Sequence, residues 1–190
     1  MSYLKFLLNK ARHYSFLTIV RLEFEGLVFG ILSLVPTLFG VLLRGISSKL
    51  FFKRLDGFAW IQPRCTLIHS DRIVAGTNLA INSGSYINGV GGIEFGNYVL
   101  IGSNVTISSG QHPIGGMLPP VFSRTSIPKK ITIMNDVWIG AGAVIMPGVT
   151  LRTGTVIGAN AVVTKDTEEY AICVGVPAKK IGDRRDKPDQ

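Results

Sequence analysis

Aliphatic side chains recur at every sixth position through the C-terminal part of the chain, at Ile133, Ile139, Ile145, Leu151, Ile157 and Val163. Four residues after each of the first five comes a small or β-branched residue: Val137, Ala143, Val149, Thr155 and Ala161. Phe95, Ile101 and Ile107 keep the same step upstream, and Ile81, Ile87 and Ile93 keep it in a frame displaced by two. A period of six is neither the 3.6 of a helix nor the 2 of a plain strand. It predicts a solenoid in which each hexad supplies a short strand and a bend, and three hexads complete one coil of a triangular prism. The aliphatic residue points inward and stacks on the next coil, and the small residue lets the corner close. The repeat breaks once, where Ile107 and Ile133 stand 26 residues apart, two more than four hexads. This interval, with Pro113, Pro119, Pro120 and Pro128, predicts a loop over 112–132, the place where function concentrates on a regular scaffold.

The N-terminal part follows a different pattern. Gly26–Leu43 is eighteen residues without a charge. As a helix it would reach roughly 27 Å, just short of a bilayer's hydrocarbon core. Pro36 near its middle predicts a kink or break. Lys5, Lys10, Arg12 and Arg21 precede the run, and Arg44, Lys49, Lys53 and Arg54 follow it. Cations on both sides suit a segment whose two ends return to one anionic surface, so the arm is expected to dip into or lie on a membrane. The competing reading is a pair of helices packed on the rest of the chain or on a second subunit. The expected organisation is an apolar helical arm over 1–58, a β-solenoid over 59–175 and a C-terminal tail over 176–190.

Composition narrows the class. With 190 residues, 46% hydrophobic and 17% charged, the chain is no disordered polymer. Cys65 and Cys173 are too few for a disulfide framework or a cysteine-based metal cluster. The formal net charge is +8, concentrated around the apolar run and without a helix-turn-helix or interleaved aromatics, so nucleic acid is not an expected partner.

Three histidines are available, His13, His69 and His112. A histidine titrates in the range that lets it take a proton from an attacking hydroxyl. A lone loop histidine is more often solvated or packed than catalytic, and His13 and His69 read as surface or packing residues. His112 differs in sitting at the mouth of the ejected loop. No Ser-His-Asp arrangement is legible, which favours direct attack over a covalent enzyme intermediate.

The stretches IGSNVTISSGQHP, DVWIGAGAVIMPGVT, VIGANAVVTKD and GVPAKKI carry a resemblance. Over about residues 73–182 the chain is similar to the hexapeptide-repeat acyltransferases, especially their maltose, galactoside and xenobiotic O-acetyltransferase branch. The resemblance implies a mainly β chain folded as a left-handed parallel β-helix, assembled as a homotrimer, using acetyl-CoA and no metal. It implies His112 as general base and Asn82 in the acceptor site, with Asn88, one repeat later, as the substitute. It implies that the backbone amides of Ala141 and Ala159 bond the pantetheine arm and that Trp138 walls the groove. Thr164, Lys165 and Lys180 would meet the nucleotide end. The apolar arm is similar instead to members that modify exopolysaccharide or lipopolysaccharide sugars. That implies a sugar acceptor on a cell-surface polysaccharide or its lipid-linked precursor, and a place on the cytoplasmic face of the inner membrane. A zinc enzyme on the same fold would need three converging histidines. A non-catalytic membrane-tethered scaffold, or an acetyltransferase for a small soluble acceptor, are the remaining alternatives.

Overall fold

The computed structural model describes residues 15–116 and 118–187. Lys5, Lys10, Arg12 and His13 lie outside the described residues. Two helices come first. In α1 (Phe16–Ser33), the Ser15 hydroxyl accepts the Thr18 N–H at 3.2 Å; in α2 (Leu38–Phe51), the Thr37 hydroxyl accepts the Gly40 N–H at 3.3 Å. Pro36 lies between them, where its missing N–H cannot extend the α1 ladder. No helix among the described residues is long and apolar enough to cross a membrane.

The helices turn polar groups inward, onto the N-terminal end of the solenoid. Arg44 is fully buried. Its Nε donates to the Ile61 carbonyl at 2.7 Å, and one terminal nitrogen donates to the carbonyls of Leu32 at 2.5 Å and Val35 at 2.9 Å. This corrects the expectation that Arg44 belongs to the basic flank facing a membrane. Its charge instead satisfies orphan carbonyls at the negative end of α1 and ties α2 to the first coil. Glu25 is buried too, its Oε1 accepting the Ser70 N–H at 3.1 Å. Burial pushes its carboxyl above its ordinary value of 4.5. A side chain at Gly45 would collide with the Phe58 ring and the Ala59 carbonyl, so glycine is what lets α2 lie this close to the coil.

The solenoid winds through three faces, A, B and C. Coil 1 is β1 (Arg54–Leu55), β2 (Ala59–Ile61) and β3 (Thr66–Ile68); coil 2 is β4 (Ile73–Ala75), β5 (Leu79–Ile81) and β6 (Tyr86–Asn88). Coil 3 is β7 (Ile93–Phe95), β8 (Leu100–Ile101) and β9 (Thr106–Ser108), after which a hairpin of β10 (Gly110–Gln111) and β11 (Ile127–Pro128) leaves the prism. Coil 4 is β12 (Ile131–Ile133), β13 (Trp138–Ile139) and β14 (Val144–Ile145), and coil 5 is β15 (Thr150–Leu151), β16 (Val156–Ile157) and β17 (Val162–Val163). Face B continues into β18 (Ala171–Val174), against which β19 (Lys179–Asp183) folds back antiparallel. All rungs within the coils are parallel, as a solenoid requires. The expected boundary after residue 58 thus falls inside coil 1, and part of the expected tail is a strand of sheet B.

The core explains the period, with one refinement. Most strands turn two residues inward, two apart, such as Val137 with Ile139 and Ala143 with Ile145, all buried. The small residue of each hexad therefore lies inside, as the first inward residue of the next strand, and does not form the corner. Residues at positive φ make the corners: Asn78, Tyr98, Asp136, Gly154 and Tyr170 between faces A and B, and Arg64, Gly84, Asn104, Gly142 and Asn160 between B and C. Asn and Asp tolerate that region better than other side chains.

The displaced frame also has a physical cause. The second inward residues on faces C and A are eight apart in the lower coils, Leu67 to Ala75 and Ile87 to Phe95, and six apart in coil 4, Ile145 to Leu151. Ile93 is the first inward residue of β7, and Phe95 is the true successor of Ile87. The C/A edge is thus expanded by two residues in two coils before it ejects the long loop in the third.

Candidate functional site

The loop grows from the C/A edge. Gln111 pairs antiparallel with Ile127, and the Ser126 hydroxyl donates to the Gln111 carbonyl at 3.3 Å. His112 is the next residue and is exposed. Beyond it the chain is gathered by Arg124. The guanidinium donates to the carbonyls of Pro119 at 2.7 Å, Pro113 at 3.1 Å, Gly115 at 2.5 Å and Gly116 at 2.7 Å. One planar cation thus fixes the peptide that follows His112 and closes the loop on itself, which five donors in a rigid fork allow. The reading of the sequence missed Arg124; its signal was a single cation inside a loop rich in proline and glycine.

Asn88 lies one rung below the root of this loop. It is in register with Ser108 of β9, and its carbonyl accepts both the N–H of Ser109 at 3.0 Å and the Ser109 hydroxyl at 2.9 Å. The Asn88 amide faces the Tyr86 hydroxyl at 3.4 Å, and its Oδ1 accepts the Val90 N–H at 3.1 Å. Asn82 is elsewhere. It occupies the B/C corner, its N–H bonded to the Ile101 carbonyl at 2.9 Å, in one column with Gly102 and Gly140. Within one chain the edge that carries His112 therefore holds Asn88, not Asn82.

Ala141 and Ala159 stand at the same corner as Asn82, in coils 4 and 5. Both are exposed, and among the described residues no carbonyl accepts either N–H. Two stacked, outward amide donors form a ladder for an extended chain of carbonyls. A Cβ at Gly140 would sit 2.6 Å from the Ala159 nitrogen, so glycine keeps that donor open. Trp138 projects from sheet B with half its surface exposed, in register between Leu100 and Val156. The outward column of sheet B, Trp60, Ala80, Leu100, Trp138, Val156 and Ile172, is apolar throughout.

Thr164 and Lys165 are exposed just past β17, on the C/A edge above the loop. Lys180, in β19, bonds Glu168 Oε2 at 2.6 Å and lies 3.7 Å from Asp183. Those carboxylates raise its pKa, led by the Glu168 hydrogen bond. Any phosphate meeting Lys180 would compete with both. His69 is buried at the first C/A corner, and desolvation lowers its pKa. Two open clefts, about 570 and 640 Å³, run along sheet A past Arg72 and Lys130 and past Arg54 and Asn135. Neither includes His112, Ala141 or Ala159. No group of three or more metal-ligating side chains occurs among the described residues.

The fold and sequence have relatives among known proteins. The bacterial transferase hexapeptide family (six repeats) matches residues 130–165. Galactoside O-acetyltransferase of Escherichia coli (strain K12) is 36% identical over 139 residues, 73% of this chain and 68% of the relative. A solved galactoside acetyltransferase in complex with coenzyme A superimposes with a TM-score of 0.73 at 31% identity, over 86% of this chain and 82% of that one. A maltose O-acetyltransferase from Clostridium difficile 630 does so with a TM-score of 0.75 at 26% identity, over 89% of each. With its left-handed β-helix, its ejected loop and this degree of identity, the chain belongs to the hexapeptide-repeat acetyltransferases of the galactoside O-acetyltransferase type.

Proposed function

We propose that this protein transfers the acetyl group of acetyl-CoA to a sugar hydroxyl of a cell-surface polysaccharide or its lipid-linked precursor, with His112 as general base. The sugar oxygen attacks the thioester carbonyl while His112 removes the hydroxyl proton. The C–O bond forms as the C–S bond breaks, and His112 returns the proton to the departing thiolate. The products are an O-acetyl ester and CoA thiol. No cofactor beyond the co-substrate enters this balance. The open amides of Ala141 and Ala159 would hold the pantetheine carbonyls, Trp138 would wall the groove, and Thr164, Lys165 and Lys180 would meet the nucleotide. Asn88 would hold the acceptor beside His112; Asn82 is the other candidate.

The observation that carries the reading is an exposed histidine at the root of a long loop, in a chain 36% identical to a galactoside O-acetyltransferase. The amide ladder and His112 lie on different edges of one prism, separated by sheet C. A homotrimer would complete the site by setting the C/A edge of one subunit against the B/C edge of the next. The apolar outward column of sheet B supports such packing. The acceptor and the arm together favour the cytoplasmic face of the inner membrane, where acetyl-CoA is available.

The test is release of CoA thiol on mixing the purified protein with acetyl-CoA and candidate glycans. His112→Ala should lower turnover by about 10²–10⁴, the span for losing a general base, with acetyl-CoA binding unchanged. Wild-type turnover in that variant would overturn the mechanism.

A further inference from the structure

We propose that the outer face of the α1–α2 hairpin is a bilayer-docking surface, on which the protein lies without crossing. This rests on the membrane placement proposed above and names the face that makes it.

Helix α1 exposes Leu17, Val20, Phe24, Leu27, Ile31 and Leu34. Their spacing of three, four, three, four and three puts them on one stripe. Helix α2 continues it with Leu38, Phe39, Leu42, Ile46 and Leu50. With Phe16, these make twelve of the 23 large apolar side chains exposed among the described residues. A soluble surface helix turns its apolar stripe to the core and its charges to water. Here Glu25, Arg44 and Ser48 are buried beside Phe29, Val41 and Phe51, while a second and larger set of apolar residues points out. An apolar patch this continuous marks an interaction surface.

Two features select lipid as the occupant. The exposure runs the whole length of the hairpin, from Phe16 at 78% through Leu34 at 78% and Leu38 at 80% to Leu50 at 77%, a continuous apolar face of the kind a lipid surface covers. Around the stripe stand the exposed cations Lys49 and Lys53, with Arg21 paired to Asp71 at 3.7 Å and Arg54 to Asp56 at 3.2 Å, against the exposed carboxylate Glu23. That excess suits anionic headgroups. A two-fold dimer through this face would instead press the basic rims of two copies together. Since neither helix is long and apolar enough to span, the contact is monotopic.

The experiment is flotation of the full-length protein with vesicles of phosphatidylcholine alone or with added phosphatidylglycerol. The wild type is compared with the double variant Leu34→Glu/Leu38→Glu and with Tyr98→Ser, which removes an exposed aromatic elsewhere. The wild type and Tyr98→Ser should float, more completely with phosphatidylglycerol, and the double variant should lose vesicle binding at least tenfold. Its circular dichroism and its acetyl transfer to a free sugar should be unchanged. Equal flotation of the double variant overturns the proposal. So does a wild type that ignores vesicles while the double variant drops in oligomeric mass, which would assign the face to a second copy. A wild type that floats, loses flotation only in the double variant and acetylates no glycan would leave the docking face standing and remove the catalytic reading instead.

Discussion

Arg44 and Ile61 are joined by a 2.7 Å hydrogen bond from guanidinium Nε to main-chain carbonyl, which pins the second helix to the first coil of the prism. The same guanidinium holds the Leu32 and Val35 carbonyls, so three segments meet on one buried charge. Arg44→Ala would leave those acceptors buried without donors. The expected loss is about 3 kcal/mol or more, read as a lower urea midpoint. Arg44→Lys should recover little of it, because an ammonium cannot reproduce the fork.

Arg124 should act on catalysis without touching substrate. It holds the carbonyl of Pro113, the residue after His112. Arg124→Gln should lower kcat by about 10- to 100-fold through a misplaced base, with the KM for acetyl-CoA nearly unchanged. Lysine at this position should not rescue the rate. An unchanged kcat would reduce Arg124 to a surface contact.

The two asparagines separate cleanly. Asn88 sits beneath the root of the loop and Asn82 on another edge. Asn88→Ala should lower kcat/KM for the sugar by about tenfold, the cost of one hydrogen bond to substrate, and Asn82→Ala by less. The reverse order would assign the acceptor to an asparagine contributed across a subunit boundary.

Burial of Glu25 raises its pKa, so the folded state holds this proton more tightly than the unfolded chain does. Its contribution to stability is therefore fully present below the unfolded value and declines as pH rises through the folded one. Glu25→Gln keeps an acceptor for the Ser70 N–H and removes the titration. At about pH 7.5 it should melt about 2–4 °C above wild type, the shift that ~1 kcal/mol gives a chain of this size. The gain should vanish below about pH 3.5, where the carboxyl is protonated in both states. A gain independent of pH would assign it to packing.

The prism was legible because a six-residue step leaves few alternatives, and Ile133, Ile139 and Ile145 are all buried where the period put them. The loop was legible from the break in that step, and His112 from its place at the break. What stayed hidden depended on contacts between distant segments. Arg44 reads as one more cation beside an apolar run until the Ile61 carbonyl is seen against it. Asn82 and Asn88 look interchangeable one repeat apart. They part only because six residues carry the chain from one edge of a triangle to the next.

The unequal lengths at the C/A edge have a further consequence. Ile107 still pairs with Ile87 below and Ile145 above, and Ile133 with Phe95 and Leu151, although many residues intervene between the two strands. Material added at this edge leaves the stacking on either side untouched. The prism thus behaves as a chassis with an exchangeable fitting. Loops of other lengths and compositions can be mounted at the same bend without asking the core to refold around them.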